Sequence, residues 1–315
     1  MKKKALVTGI GGDIGQSVIK CLRDARYPLA VYGCDMDPYA AYRNQVKKFL
    51  VAPSASGASR YLDFIARSVN REGIDYIFPV SEPEIAVLNS SPERFNGRVK
   101  IFALSRKITE VFFDKYDTVM FLKRHGLPYP KTALLEEYAG DFGFPLIVKP
   151  RRGSGGKRNH LVKNKKELQL IKSIEKNAIA QEVIGTDEEE YTGAVFSDKK
   201  QVYSIFFRRK LGYGSLTKTA ELVDCPALTA LAKDVAKATG LEGSMNIQLR
   251  RSDGTYIPFE INPRFSSTVY IRSVFGFQDV KWWIDLHEGR AVKYRPLYKA
   301  GVAVRSINEV FYNLK

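Results

Sequence analysis

From Lys4 to Ala103, short runs of β-branched and aliphatic residues alternate with longer stretches whose apolar positions recur every three or four residues. A strand buried on both faces reads as a near-continuous apolar run, whereas a helix crossing back over the sheet shows one apolar stripe. Their alternation predicts βα units around a parallel sheet. Strands are predicted at residues 5–8, 29–34, 49–51, 76–78 and 99–103, with a helix over 14–22. Gly9, Gly11, Gly12 and Gly15 fill the turn between the first strand and that helix. The first lobe is therefore expected to be doubly wound.

Near residue 105 the pattern changes. Two helical stretches run up to His125-Gly126-Leu127-Pro128-Tyr129-Pro130, where glycine and proline stop a helix. Strands are predicted beyond it at 144–149, 178–184, 190–196, 201–211, 244–250 and 255–261. The last two flank Ser252-Asp253-Gly254 and are expected to form a hairpin.

A length of 315 residues suits two or three lobes better than one core. No apolar run approaches the roughly 20 residues that span a bilayer, and Lys2, Lys3 and Lys4 lead into a stretch too short for a signal-peptide core. Cys21, Cys34 and Cys225 lack CxxC spacing, and His125, His160 and His287 are scattered, so neither a disulfide framework, a zinc site nor a histidine-based nucleophile is expected. A reducing cytoplasm is the expected location. The formal charge of +16 changes the picture, because it implies anionic partners such as ATP. The basic residues are spread along the chain without interleaved aromatic or zinc motifs, so a nucleic-acid role is not expected.

Four stretches carry candidate chemistry. Thr8 to Gly15, TGIGGDIG, is a glycine turn before a helix, where backbone amides bind anions; it departs from GxGxxG spacing, and Asp35 sits where a ribose-binding acid would. Phe144 to Lys157, FPLIVKPRRGSGGK, delivers Lys149 from a strand and then enters Gly153-Ser154-Gly155-Gly156, whose amides can converge on phosphate as a lid. It is not a GxxxxGK[ST] loop. Ala180 to Val195 offers Gln181, Glu182, Val183 and Ile184 as an edge for adenine, followed by an acidic turn. In Ser244 to Thr268, strand alternation puts Glu260 and Asn262 on one face with Gln248 across the hairpin, a carboxylate and two amides suited to Mg²⁺. Arg264, two residues on, lies on the same side and can reach a transferring phosphoryl group.

With Asn246-Ile247-Gln248 and the Glu260-Ile261-Asn262-Pro263-Arg264 run behind the Lys149 strand and glycine loop, the chain resembles the ATP-grasp superfamily. It looks most like stand-alone proteins similar to one half of the carbamoyl-phosphate synthase large chain. The resemblance implies an α/β and α+β molecule: a Rossmann-like pre-ATP-grasp domain over 1–105, then an ATP-grasp domain over 106–315, its small lobe about 106–182 and its large lobe about 183–315. It implies Lys115 and Lys149 on ATP phosphates, with Gly153, Ser154, Gly155 and Gly156 as the lid. Gln181, Glu182, Val183 and Ile184 would form the adenine hinge. Glu190 would meet the ribose, with Glu188 and Glu189 as competitors. Gln248, Glu260 and Asn262 would hold one or two Mg²⁺, for which Mn²⁺ is a substitute, and Lys149 and Arg264 would be the catalytic cations.

The activity implied is an ATP-dependent, C–N bond-forming ligase that joins a small carboxylate to an amine or ammonia through an acyl phosphate. A carbamoyl-phosphate-synthase-like kinase or synthetase is an alternative, set back because no glutaminase region, second synthetase half or allosteric tail is visible. A dinucleotide oxidoreductase using the first glycine turn is another. No membrane partner is expected, and a homodimer is left open. Substrate specificity is expected near Ser81, Glu82, Glu84 and residues 266–273.

Overall fold

Five parallel strands open the chain: β1 (Lys3–Val7), β2 (Leu29–Asp35), β3 (Lys48–Val51), β4 (Tyr76–Phe78) and β5 (Lys100–Ile101), in the order β3-β2-β1-β4-β5. The computed structural model describes every residue except Met1, Asn96, Ser154, Lys157, Tyr213, Ser215, Ile307, Asn313, Leu314 and Lys315. Helices α1 (Asp13–Asp24), α2 (Ala58–Glu72) and α3 (Glu82–Ser90) link the strands. Ala5 and Val7 pack with Val18, Ile19 and Leu22 of α1, while Leu6 packs on the other face with Tyr61, Leu62 and Ile65 of α2. That two-sided burial is why β1 reads as an unbroken apolar run.

The first glycine turn is taken up by its own geometry. Gly9 has a φ of +56°, and a Cβ on Gly15 would stand 2.4 Å from the Gly9 carbonyl oxygen. The Gly11 N–H donates to Asp35 Oδ2 at 2.8 Å and the Gly12 N–H to the Gly9 carbonyl at 3.1 Å. Asp13 adds a carboxylate at the start of α1. A pyrophosphate would find donors already bonded and two acids beside it, which disfavours a dinucleotide there.

Two helices, α4 (Arg106–Phe112) and α5 (Lys115–Arg124), lead into an antiparallel sheet of β6 (Thr132–Leu134), β7 (Leu146–Pro150), β8 (His160–Val162) and β9 (Ala178–Glu182), ordered β6-β9-β7-β8. Helix α6 (Lys165–Ile174) joins β8 to β9, its Leu168 packed with Leu146, Val148 and Ala180. A six-stranded antiparallel sheet follows: β10 (Glu190–Asp198), β11 (Val202–Leu211), β12 (Thr217–Val223), β13 (Glu242–Ser252), β14 (Thr255–Asn262) and β15 (Val302–Val304), ordered β14-β13-β10-β11-β12-β15. Asp253 and Gly254 have φ of +48° and +78°, the paired left-handed residues that a two-residue hairpin turn needs. Helix α7 (Pro226–Thr239) packs on β10 and β11.

Helices α8 (Val269–Val274) and α9 (Asp279–His287) turn back against α1. The apolar core is thereby continuous from the first sheet to the large one. Where α8 meets α9, Arg272 donates from Nε to Asp279 Oδ1 at 3.1 Å and from Nη2 to Oδ2 at 2.6 Å, and from Nη1 to Ser266 Oγ at 2.9 Å. Both side chains are fully buried, so this pair anchors the loop that follows β14.

Candidate active site

Between the four-stranded and six-stranded sheets lies a cavity of about 400 Å³. Strand register builds its floor. Glu190 pairs with Arg250, Thr192 with Gln248, Gln248 with Glu260, and Asn246 with Asn262. Since cross-strand partners point to one face, a polar row crosses β10, β13 and β14. Between Gln248 and Leu249 the register shifts, and the strand takes in Phe259 as an extra residue. Phe259 supplies a ring 5.6 Å from Lys149 Nζ and a carbonyl that Nζ reaches at 3.5 Å.

Asn262 Nδ2 donates to Glu260 Oε1 at 2.8 Å and Gln248 Nε2 to the same oxygen at 3.4 Å. Burial alone would raise the Glu260 carboxyl, but Lys115, Lys149, the Asn262 bond and Arg264 together hold it below its usual range. Gln248 turns its own oxygen toward Arg209, which donates to it at 2.8 Å. A half-turn of the amide exchanges oxygen and nitrogen, so a cation beside Glu260 would draw that oxygen round. Asn246, fully buried, accepts from the Thr192 hydroxyl at 3.3 Å, and its Nδ2 has no partner among the described residues. One carboxylate and amide oxygens form an all-oxygen donor set, which fits Mg²⁺ completed by phosphate and water. Among the described residues no cluster of three or more His, Cys, Asp or Glu offers an alternative metal site.

Cations face this row from the small sheet. Lys149, on β7, is buried, and desolvation pushes its ammonium down to about 8 against the pull of Glu260. Lys115 opens α5, where Asp114 caps the helix and binds Arg151 through both carboxylate oxygens. Lys115 Nζ donates to the Gly153 carbonyl at 2.6 Å, and Lys115 and Glu260 line the same smaller cavity under the glycine loop. Gly153, Gly155 and Gly156 have φ of +110°, +82° and +63°, a run that only glycine adopts freely. Ser154 lies outside the described residues.

Gln181, Glu182 and Ile184 line the main cavity; Val183 does not. Glu190 also lines it, but its carboxylate is clasped: Arg209 donates from Nε at 2.9 Å and Arg250 from Nη2 at 2.8 Å. Neither arginine is among the candidate residues that the sequence motifs offer. Arg250 stands two residues from Gln248 on the same strand face, a legible signal; Arg209 depends on the β10–β11 register, which is not. Arg264 reaches the cavity from the loop after β14 and also crosses to the first lobe, its Nη2 lying 3.2 Å from Glu82 Oε1. Among the histidines, His160 bonds Glu175 and His125 the Phe121 carbonyl; none lines the cavity.

Residues 112–268 match the ATP-grasp domain family, and residues 6–102 match the PylC-like N-terminal domain family. The carbamoyl phosphate synthase large chain of Clostridium acetobutylicum is 26% identical over 268 residues, covering 75% of this chain and 24% of that protein. The chain thus spans about a quarter of the length of that relative. Among solved structures, Staphylococcus aureus N5-carboxyaminoimidazole synthetase complexed with ADP superposes with a TM-score of 0.76 at 16% identity, over 95% of this chain and 81% of that one. The L-amino acid ligase of Bacillus licheniformis gives 0.73 at 18% identity, over 94% and 78%. With a two-sheet cleft, a glycine loop and a polar strand face all falling inside the matched segment, the chain belongs to the ATP-grasp superfamily.

Proposed function

We propose that the protein is a Mg²⁺- and ATP-dependent ligase that activates a carboxylate as its acyl phosphate and passes the acyl group to an amine. The observation that carries this reading is the gathering of cations and amides about Glu260: Lys149 and Gln248 line the main cavity with it, Lys115 lines the adjoining smaller one with it, and Asn262 bonds its carboxylate. Adenine would sit against Gln181, Glu182 and Ile184, and phosphates against Lys149, Lys115 and the glycine loop. Glu190 would accept from the ribose while its two arginines hold it in place. Mg²⁺, held by Glu260 and Asn262 with Gln248, would neutralise charge on the phosphate oxygens.

In the first step a carboxylate oxygen attacks the γ-phosphorus, the bond to the β–γ bridging oxygen breaks, and ADP leaves. In the second an amine nitrogen attacks the acyl carbon, the C–N bond forms, phosphate departs with the C–O electron pair, and the nitrogen gives up a proton to solvent. This chain's residues contribute position and charge: Arg264 clamps phosphoryl oxygens through its fork, and the glycine loop excludes water from the mixed anhydride.

The test is an ADP-release screen with Mg²⁺, ATP and small carboxylates and amines. Release that needs both a carboxylate and Mg²⁺ supports a ligase; release from water alone at full rate overturns it. Arg264→Lys keeps the charge but not the fork, and is expected to lower kcat by roughly 10²-fold with a much smaller change in ATP affinity. Equal losses in both would make Arg264 a ground-state contact instead.

Lys149 sets a pH dependence. Its ammonium loses a proton near pH 8 in the free protein. Only the protonated form attracts phosphate, so ATP affinity should be flat below that pH and weaken above it, by at most about tenfold per pH unit. Lys149→Met should bind weakly with no such dependence. A titration showing wild-type affinity flat from pH 7 to 9.5 would remove Lys149 from the phosphate site.

A further inference from the structure

Arg264 and Glu82 pair on the lining of a second cleft, of about 410 Å³, which lies between the start of α3 and the glycine loop. Ile14 and Arg264 line both this cleft and the main cavity, so the two adjoin. Its charged lining consists, among the described residues, of Glu82, Arg152 and Arg264; the rest is largely apolar, including Ile14, Val80 and Phe113. The side chains of Arg264 and Glu82 are 11% and 18% exposed, so their charges are shielded from water and need a partner.

We propose that this cleft binds an apolar α-amino acid as the carboxylate substrate. The inference rests on the ligase reading and specifies its substrate. An α-amino acid carries a carboxylate and an ammonium on one carbon, the mirror of an arginine beside a glutamate. Entering the cleft, it exchanges one ion pair for two: its carboxylate goes to Arg264, with Arg152 on the open side, and its ammonium to Glu82. The carboxylate then stands on the residue shared with the cavity that holds the cationic cradle, facing the phosphate to be attacked. The side chain is left among Ile14, Val80 and Phe113, where a charged group would find no partner. A carboxylate lacking the amino group would leave Glu82 without its arginine and without a replacement.

Substrate-dependent ADP release, measured with leucine and with 4-methylpentanoate at saturating Mg²⁺ and ATP and with the same saturating ammonium as amine source in both, tests this. The wild type should favour leucine in kcat/KM by about 10- to 100-fold, the cost of an unmet charge-assisted bond. Glu82→Gln should erase most of that preference, mainly by lowering activity on leucine. A purely structural latch would instead lose activity on both compounds equally. Ala86→Phe, at an exposed position that lines the same cleft, should raise KM for leucine while sparing glycine. Equal use of the two compounds by the wild type, or parallel losses in Glu82→Gln, overturns the amino-acid inference and leaves the ligase reading intact. No ADP release with any carboxylate overturns both.

Discussion

Glu260→Gln is expected to lower kcat by roughly 10³-fold, the several kcal/mol that a lost metal and phosphate anchor removes from the transition state. Glutamine keeps the length of the side chain and an oxygen, but removes the one carboxylate of the donor set. The loss is not shared out among neighbours, because Asn262 and Gln248 contribute neutral amides. Removing the charge also withdraws a group that supports the Lys149 ammonium, so the variant's ATP affinity should fall earlier as pH rises. Asn262→Ala, which leaves Glu260 charged but frees its oxygen from a 2.8 Å bond, should cost less and should respond to raised Mg²⁺ concentration. Steady-state kinetics over a Mg²⁺ series, with circular dichroism to verify folding, reads both; turnover at the wild-type rate in either variant would sink the cation assignment.

Arg272→Ala should be the most destabilising single change away from the cleft, with a loss of about 3–5 kcal/mol in unfolding free energy. The reason is the asymmetry of a buried pair. Asp279 would be left charged and nearly solvent-free, with the Ser244 hydroxyl as its remaining donor among the described partners. Replacing both members with apolar residues of similar volume, Arg272→Met with Asp279→Leu, should recover much of the loss, because no orphan charge remains. Urea titration checks this. If the double variant were as unstable as the single one, the contact would matter through its hydrogen bonds to Ser266 and Ser244 and not through charge. Activity gives a second readout, since Ser266 stands two residues past Arg264 and a slackened loop misplaces that guanidinium.

The sequence reading and the structure agree wherever the signal is periodic. Strands β1 to β4 and β10, β11, β13 and β14 lie where apolar alternation or apolar runs predict them, each within a few residues. The hairpin about Asp253-Gly254 was legible because only a left-handed turn joins strands so closely. The three-residue strands β6, β8 and β15 were not, as three residues cannot establish a period of two. Helices α6 and α7, though long, lie among the β-rich stretches that dominate the pattern beyond residue 130.

At the site, the same division holds. Spacing along one strand put Glu260 and Asn262 on one face, because side chains two apart share it, whereas Arg264 stands on the loop beyond that strand and reaches the cavity from there. The positive φ run at Gly153, Gly155 and Gly156 was likewise written in composition. Tertiary structure alone decided how charges separated by tens of residues pair. It set Arg209 and Arg250 on Glu190, turned the Gln248 oxygen toward Arg209, and brought Arg264 to Glu82 across 182 residues. Such pairings follow from strand register and from the packing of α8 and α9 on α1, which are global properties of the folded chain. A side chain's type fixes what it can bond; which partner it meets, and how much water is left between them, is settled only when the lobes close on one core.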